Sequence, residues 1–229
     1  MKKGDIKRTR ILDAAERLFL EKGYDRTSVQ DILDALGLSK GGFYHYFDAK
    51  ESVLQAVSER RIEERLERLG LELRDPRRKP LDRINRLLHQ ASLLGAEEGR
   101  FAALMLRLCY LEKDPSLVAR RRRVLVDRLL PPLGEALDAG LADGSVYLRH
   151  PAQAARMILL LAFDVDEEIC AMLAADPESP DALIPAIELL NAYRDSVETL
   201  LGAPHGALEL IDITELIRRY REAMAELNA

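Results

Sequence analysis

The residues of this chain best suited to chemistry lie together, between Thr27 and Lys50. Lys40-Gly41-Gly42-Phe43-Tyr44-His45-Tyr46-Phe47 gathers a cation, two phenol hydroxyls and an imidazole around a glycine pair. An ammonium, hydroxyls and a backbone unshielded by Cβ suit phosphate oxygens and base edges, which are recognised by donors at close range. Catalysis finds no such local support. The four histidines, His45, His89, His150 and His205, are far apart in sequence, and none shows His-x-x-x-His spacing. Cys109 and Cys170 form no Cys-x-x-Cys, and neither a nucleophile elbow nor a phosphate loop occurs. The expectation is therefore no enzyme, no metal and no cofactor.

The flanking residues show what would position this cluster. Thr27 or Ser28 caps a short helix, and Asp31 completes a capping box. Val29, Ile32, Leu33 and Leu36 give that helix one apolar side, and Gly37 offers the left-handed conformation that ends it. Ser39 caps a second helix, so the order is helix, tight turn, helix: the arrangement whose second helix enters a DNA major groove. Two glycines inside that second helix cost about 1 kcal/mol each against alanine, which is odd for a purely structural element. Phe43 and Phe47, four apart, are the expected core pair, leaving Tyr44, His45 and Tyr46 to point elsewhere. The alternative, an aromatic core helix with exposed tyrosines, leaves the glycines without a purpose.

On these residues the stretch from 5 to 55 resembles the DNA-binding domain of the tetracycline-repressor (TetR) family of bacterial regulators. The matching text includes Ile11-Leu12-Asp13-Ala14-Ala15, Glu21-Lys22-Gly23-Tyr24, Thr27-Ser28-Val29 and Leu36 through Phe47, followed by Lys50-Glu51. The resemblance implies roles. Thr27 and Ser28 would meet phosphate at the head of the second helix. Ser39, Lys40, Gly41, Gly42 and Tyr44 would face the groove, with His45 and Tyr46 on bases or phosphates. Lys50 would neutralise a phosphate, while Ile11, Leu18, Phe19, Val29, Ile32, Phe43 and Phe47 hold the helices together. It implies a homodimer on a near-palindromic double-stranded operator, released by a small molecule. A ligand-independent DNA-binding protein, or an enzyme carrying such a head, stays open as an alternative.

Composition agrees with a regulator more than with a nucleic-acid coat. The formal charge is −5 over 229 residues, yet residues 1–51 carry net +1 against −6 for the rest. A weakly basic head on an acidic body fits targeted binding. Charge follows Met1-Lys2-Lys3 directly, with no apolar leader, and the longest apolar run, Met157 to Phe163, is too short to span a bilayer. Two cysteines in apolar surroundings suit buried thiols in a reducing cytoplasm.

The remaining pattern predicts an all-α fold: a DNA-binding domain over 1–52, joined by a continuous fourth helix to a regulatory and dimerisation domain over 53–229. Helix one is expected over about 5–22, helix five over 81–96, helix six over 100–112 and helix seven over 115–139. Pro131-Pro132 should kink or break the seventh. Helix eight, from Pro151, is apolar on every side between Ala154 and Phe163 and so needs two partners. With helix nine it offers a dimer face comprising Ile158, Leu161, Val165, Leu183, Ile187, Leu190 and Val197. A loop is expected over 176–181, then a last helix carrying Leu210, Ile213, Ile217, Tyr220, Met224 and Leu227. Met105, Leu108, Cys109, Leu159 and Phe163 are expected to line an apolar ligand cavity reached near Pro131, unless helical spacing simply makes them core. Arg120 to Arg123 reads as a solvated run pairing with acids, or as a contact for DNA or an anion. Asp164, Asp166, Glu167 and Glu168 mark where helix eight emerges into water, or else a carboxylate wall selecting a cation.

Overall fold

The computed structural model describes residues 3–75, 77–93, 99–112, 114–175, 180–209 and 213–228, and these are helical with no strand among them. The chain divides into two compact units, Met1–Glu64 and Arg65–Ala229.

The first unit holds α1 (Lys3–Glu21), α2 (Val29–Leu36), α3 (Lys40–Tyr44) and α4 (Lys50–Leu73) through Glu64. Its core is the apolar side of each helix. Ile11, Ala15 and Phe19 come from α1, Ile32 and Leu33 from α2, and Phe43 from α3 with Phe47 just beyond it. Val53, Leu54 and Val57 complete the core from α4, and all ten are buried. Each large side chain so buried contributes about 1.5–3 kcal/mol. Leu18 and Val29, expected in the same core, are only half-buried. Polar ties reinforce the packing: Arg60 on α4 reaches Asp13 at 2.5 Å and Glu16 at 2.6 Å on α1, and Arg61 reaches Glu16 at 2.7 Å.

In the second unit, α5 (Pro80–His89) is followed by α6 (Gly99–Leu106), whose last residues lead into a π-helical turn, Arg107–Leu111. Then come α7 (Pro115–Asp143), α8 (Pro151–Ala175), α9 (Pro180–Leu201) and α10 (Ile213–Asn228). The packed pairs are α5 with α7, α7 with α8, α8 with α9 and α6 with α10. Leu117, Leu125, Leu129, Leu133 and Leu137, spaced at four or eight, form the inward stripe of α7.

Three expectations change here. Helix five stops at His89 rather than Ala96: the Gln90 and Ala91 amides turn back to the Leu87 and Leu88 carbonyls at 3.1 and 3.0 Å. The amide of Leu93, helical again, donates to the Asp166 carboxylate at 3.1–3.2 Å. Helix six is not α-helical to its end but shifts to π pairing from Arg107. Helix seven runs unbroken through Pro131 and Pro132 and on to Asp143; the hydrogen bonds lost at two prolines are outweighed by the packed leucine stripe around them. Leu94, Ala96, residues 176–179 and Leu210 lie outside the described residues, as do the side chains of Met224 and Leu227.

Candidate nucleic-acid interface

The start of α2 is held by reciprocal caps. The Ser28 hydroxyl accepts from the Asp31 amide at 3.1 Å, and the Asp31 carboxylate accepts from the Ser28 amide at 2.7 Å and the Ser28 hydroxyl at 2.6 Å. Lys22 pairs with the same carboxylate at 2.6 Å. The Lys22 hydrogen bond first, and then those from Ser28, hold the Asp31 carboxyl far below the usual range. Gly37, at φ 62°, ends α2 in the left-handed region that non-glycine residues enter at a cost. Two residues on, the Ser39 hydroxyl accepts from the Gly42 amide at 3.2 Å and starts α3.

What α3 presents follows from its register. Phe43 points into the core and meets Phe47 with ring centroids 6.1 Å apart. The opposite side is open: Ser39, Lys40, Gly41 and His45 are exposed, and Tyr44 is 55% exposed. Tyr46 is half-buried with its ring edge-on to His45 at 4.8 Å. The two glycines are not needed by the protein itself. Neither has a positive φ, an added Cβ at Gly41 would meet nothing within 4 Å, and at Gly42 it would make ordinary contact with Ser39 Oγ at 3.4 Å. Their smallness is left for something outside the chain, approaching the backbone over an exposed lysine, histidine and tyrosine.

Two residues assigned to phosphate by resemblance sit differently. Thr27 is 1% exposed, and its hydroxyl donates to the carbonyls of Gly23 at 2.7 Å and Leu18 at 3.2 Å, closing the end of α1. Ser28, not Thr27, has its side chain at the surface. The Lys50 ammonium donates to the Tyr24 carbonyl at 2.8 Å and lies 4.1 Å from the centre of the Tyr24 ring, which ties the start of α4 to the α1–α2 loop.

In the second unit, Met105, Leu108, Cys109, Leu159 and Phe163 are all buried. They do not line either of two cavities found there. One, of about 40 Å³, lies among Leu88, Ala91, Ala162, Ile169 and Leu190, with Asp166 in its wall. The other, of about 450 Å³, is an open polar groove including Arg65, Arg68, Glu72, Asp82 and Arg86. Burial drives the Cys109 thiol up to about 12, and Cys170 is raised for the same reason, so neither is a ready thiolate.

Asp166 corrects the reading of residues 164–168 as a uniform exit into water. It is buried, and it accepts from the Leu93 amide and from the Tyr110 hydroxyl at 2.9 Å. Burial raises its carboxyl above the usual range. Asp164, Glu167 and Glu168 are exposed. Arg121 is buried too, so the run 120–123 is not uniformly solvated; Arg122 pairs with Asp164 at 2.9 Å and Arg123 with Asp127 at 3.9 Å. A signal for both was present in the sequence. Asp166 falls in the inward stripe Ala162–Asp166–Ile169–Leu173, and Arg121 in the stripe Leu117–Arg121–Leu125.

The expected dimer residues are divided. Ile158 and Val197 are buried within the chain, while Val165, Leu183, Ile187 and Leu190 are half-buried. Leu161 is 44% exposed, beside Met157 at 55% on α8 and near Ile184 at 56% on α9 in exposure, a set of large apolar side chains left uncovered by this chain. No described helix is long and apolar enough to cross a membrane.

Residues 11–57 match the profile of the family described as "Bacterial regulatory proteins, tetR family". The transcriptional repressor KstR2 of Rhodococcus jostii is 32% identical over 143 residues, 61% of this chain and 67% of that one. Several other curated regulators match over only 20–28% of this chain and 16–32% of their own length. Among solved structures, a TetR/AcrR-family regulator from Thermobifida fusca superposes with a TM-score of 0.51 at 28% identity, covering 82% of this chain and 98% of that one. RolR in complex with resorcinol shares the fold, with a TM-score of 0.56 at 20% identity over 93% of this chain and 98% of its own. Likeness to KstR2 runs well past the helix–turn–helix, which makes it kinship rather than shared local grammar: the chain belongs to the TetR family of bacterial transcriptional regulators.

Proposed function

We propose that this regulator is a cytoplasmic homodimer, a repressor rather than a catalyst, that holds a near-palindromic operator until a small molecule releases it. The observation that carries the DNA-reading half is the open side of α3. Lys40, Gly41, Tyr44 and His45 are exposed on a helix that the Ser39 cap starts just after the left-handed Gly37, and nothing among the described residues requires the glycine pair. Ser28, Ser39, Gly42 and Tyr46 flank that side and supply backbone and hydroxyl contacts. Thr27 and Lys50 act through the fold: one closes α1, the other braces α4. This division assigns DNA reading to the first unit and assembly and ligand response to the second.

The dimer reading rests on α8 and α9, where Met157, Leu161 and Ile184 leave apolar surface that a second copy would cover. Val165, Leu183, Ile187 and Leu190 would support that face from partial burial, with Ile158 and Val197 packing behind it. The release reading draws on the cavity walled by Asp166 and on RolR, a relative in fold that was solved with a small ligand. We place the ligand there rather than among Met105, Leu108, Cys109, Leu159 and Phe163, which fill core.

Selection of binding sites from a random duplex library tests this reading. The expected outcome is enrichment of an inverted repeat whose half-sites lie about one helical turn or more apart, since two equivalent heads must reach major grooves. Enrichment of an asymmetric single site, or of none, would refute it.

A further inference from the structure

In the last two turns of α9, Asp195 and Glu198 stand three positions apart and so share one side of the helix. The loop that follows brings His205 back against both. No His-x-x-x-His spacing announces this set, which is assembled from a helix and the loop beyond it. Its members differ in freedom. Glu198 is 2% exposed, and its carboxylate is fixed by two backbone donors of the loop: the Leu208 amide donates to Oε1 at 2.9 Å and the Gly206 amide to Oε2 at 3.0 Å. Asp195 and His205 are exposed. One rigid, buried carboxylate therefore faces two side chains that can close on an ion.

The spacing of the donor atoms suits a shared ion better than a hydrogen bond. His205 Nδ1 lies 3.4 Å from Glu198 Oε2 and 3.6 Å from Asp195 Oδ1. A histidine donating to a carboxylate would approach to about 2.7–2.9 Å. Nitrogen and oxygen ligands held about 2.0–2.2 Å from a tetrahedral zinc instead lie about 3.3–3.6 Å from one another. All three donor atoms fall within 4.8 Å of each other, so closing the set takes only a small movement of the exposed pair. Arg194 donates to the same Asp195 Oδ1 at 3.3 Å, as the Gly206 amide does to Glu198 Oε2. Such outer donors orient a ligand oxygen and leave it a second lone pair.

We infer that Asp195, Glu198 and His205 form a zinc site whose fourth position is left to water or an outside ligand. Two carboxylates and a neutral imidazole balance the charge of a divalent ion. The imidazole favours zinc over magnesium or calcium, which take oxygen ligands. A bound ion joins the end of α9 to the loop over 202–208. An unfolded chain does not hold the three groups together, so binding stabilises the fold. The inference is independent of the DNA-reading and effector roles proposed above.

The test uses the tag-free full chain, stripped of metal with a chelator, and zinc chloride as the titrant. Calorimetry should show one zinc bound per chain, with magnesium chloride at least about tenfold weaker. Cobalt chloride in place of zinc should give the intense visible absorption of a four-coordinate ion. With zinc at about 100 times its Kd, Tm should rise by about 5–10 °C. Asp195→Ala and His205→Ala change exposed side chains and should stay folded by circular dichroism. Each should weaken zinc by about tenfold or more and abolish the cobalt absorption. Glu198 is left intact, because two loop amides depend on it. No zinc binding, magnesium binding as tightly as zinc, or an unchanged zinc affinity in either variant would overturn the inference.

Discussion

Replacing Thr27 with valine separates two roles for a residue that resemblance sends to the DNA and the fold turns inward. Valine keeps the branched shape in a site where threonine is 1% exposed, and removes only the hydroxyl. Two carbonyls lose a donor, those of Gly23 at 2.7 Å and Leu18 at 3.2 Å. The Leu18 carbonyl keeps the Lys22 amide at 2.9 Å, so the loss is mainly one acceptor, on a residue that is half-buried. An unmet buried acceptor costs about 1–3 kcal/mol, and partial burial with one partner retained favours the lower part, about 1–2 kcal/mol. For a chain of this length that lowers Tm by roughly 2–8 °C. DNA affinity, measured well below the melting range, should change by less than about twofold, because the hydroxyl is not at the surface. Differential scanning calorimetry and fluorescence anisotropy on a labelled operator give the two numbers. An unchanged Tm together with a tenfold or greater loss of affinity would refute the reasoning and restore Thr27 to the phosphate.

Other changes have equally definite expectations. Gly37→Ala should cost about 1–2 kcal/mol from the left-handed backbone alone, since an added Cβ meets nothing there. Gly140→Ala should cost about 1–3 kcal/mol for a different reason: its Cβ would lie 2.8 Å from Val146 Cγ2, and Val146 is buried and stiff. Chemical denaturation measures both. The Asp31 carboxyl is depressed in the folded state, so its contribution is present above the unfolded value of about 4 and lost as pH falls through the folded one. Stability measured against pH should therefore fall less steeply in Asp31→Asn than in the parent below about pH 4; parallel curves would show that neither the Lys22 pair nor the capping box stabilises the ionised carboxylate. Leu161→Glu, on the uncovered face of α8, should yield a helical monomer by sedimentation and circular dichroism, and a persistent dimer would move the interface elsewhere.

How much of this was legible in the sequence depended on how local the cause was. The Ser28–Asp31 box, the Gly37 turn and the Ser39 cap lie within a few residues of what they satisfy, and each was readable from spacing. Residues that answer to distant partners were not. Lys50 meets Tyr24, 26 positions away, Thr27 closes the preceding helix, and the Leu93 amide meets Asp166, 73 positions on. The charge clusters misled for a related reason. A run of arginines or acids looks solvated as a block, yet helical register decides each member separately, and Arg121 and Asp166 fall on inward stripes while their neighbours do not. Pro131 and Pro132 suggested a kink or a break, and the break does not occur, because a helix packed through a continuous leucine stripe carries them. The cavity beneath His89 combines α5, α8, α9 and α10, which no local pattern could assemble.

The central claim is that the exposed side of α3 reads DNA sequence, and competition binding tests it most directly. Affinity for a selected operator is compared with affinity for its scrambled counterpart, for the parent chain and for the double variant Lys40→Ala with Tyr44→Ala. Both side chains are exposed, so folding and dimerisation should be unaltered, which calorimetry and sedimentation verify. The account predicts that the ratio of the two affinities collapses toward one, while the weak, salt-sensitive binding of scrambled DNA falls only modestly. An unchanged ratio in a folded, dimeric double variant would contradict it.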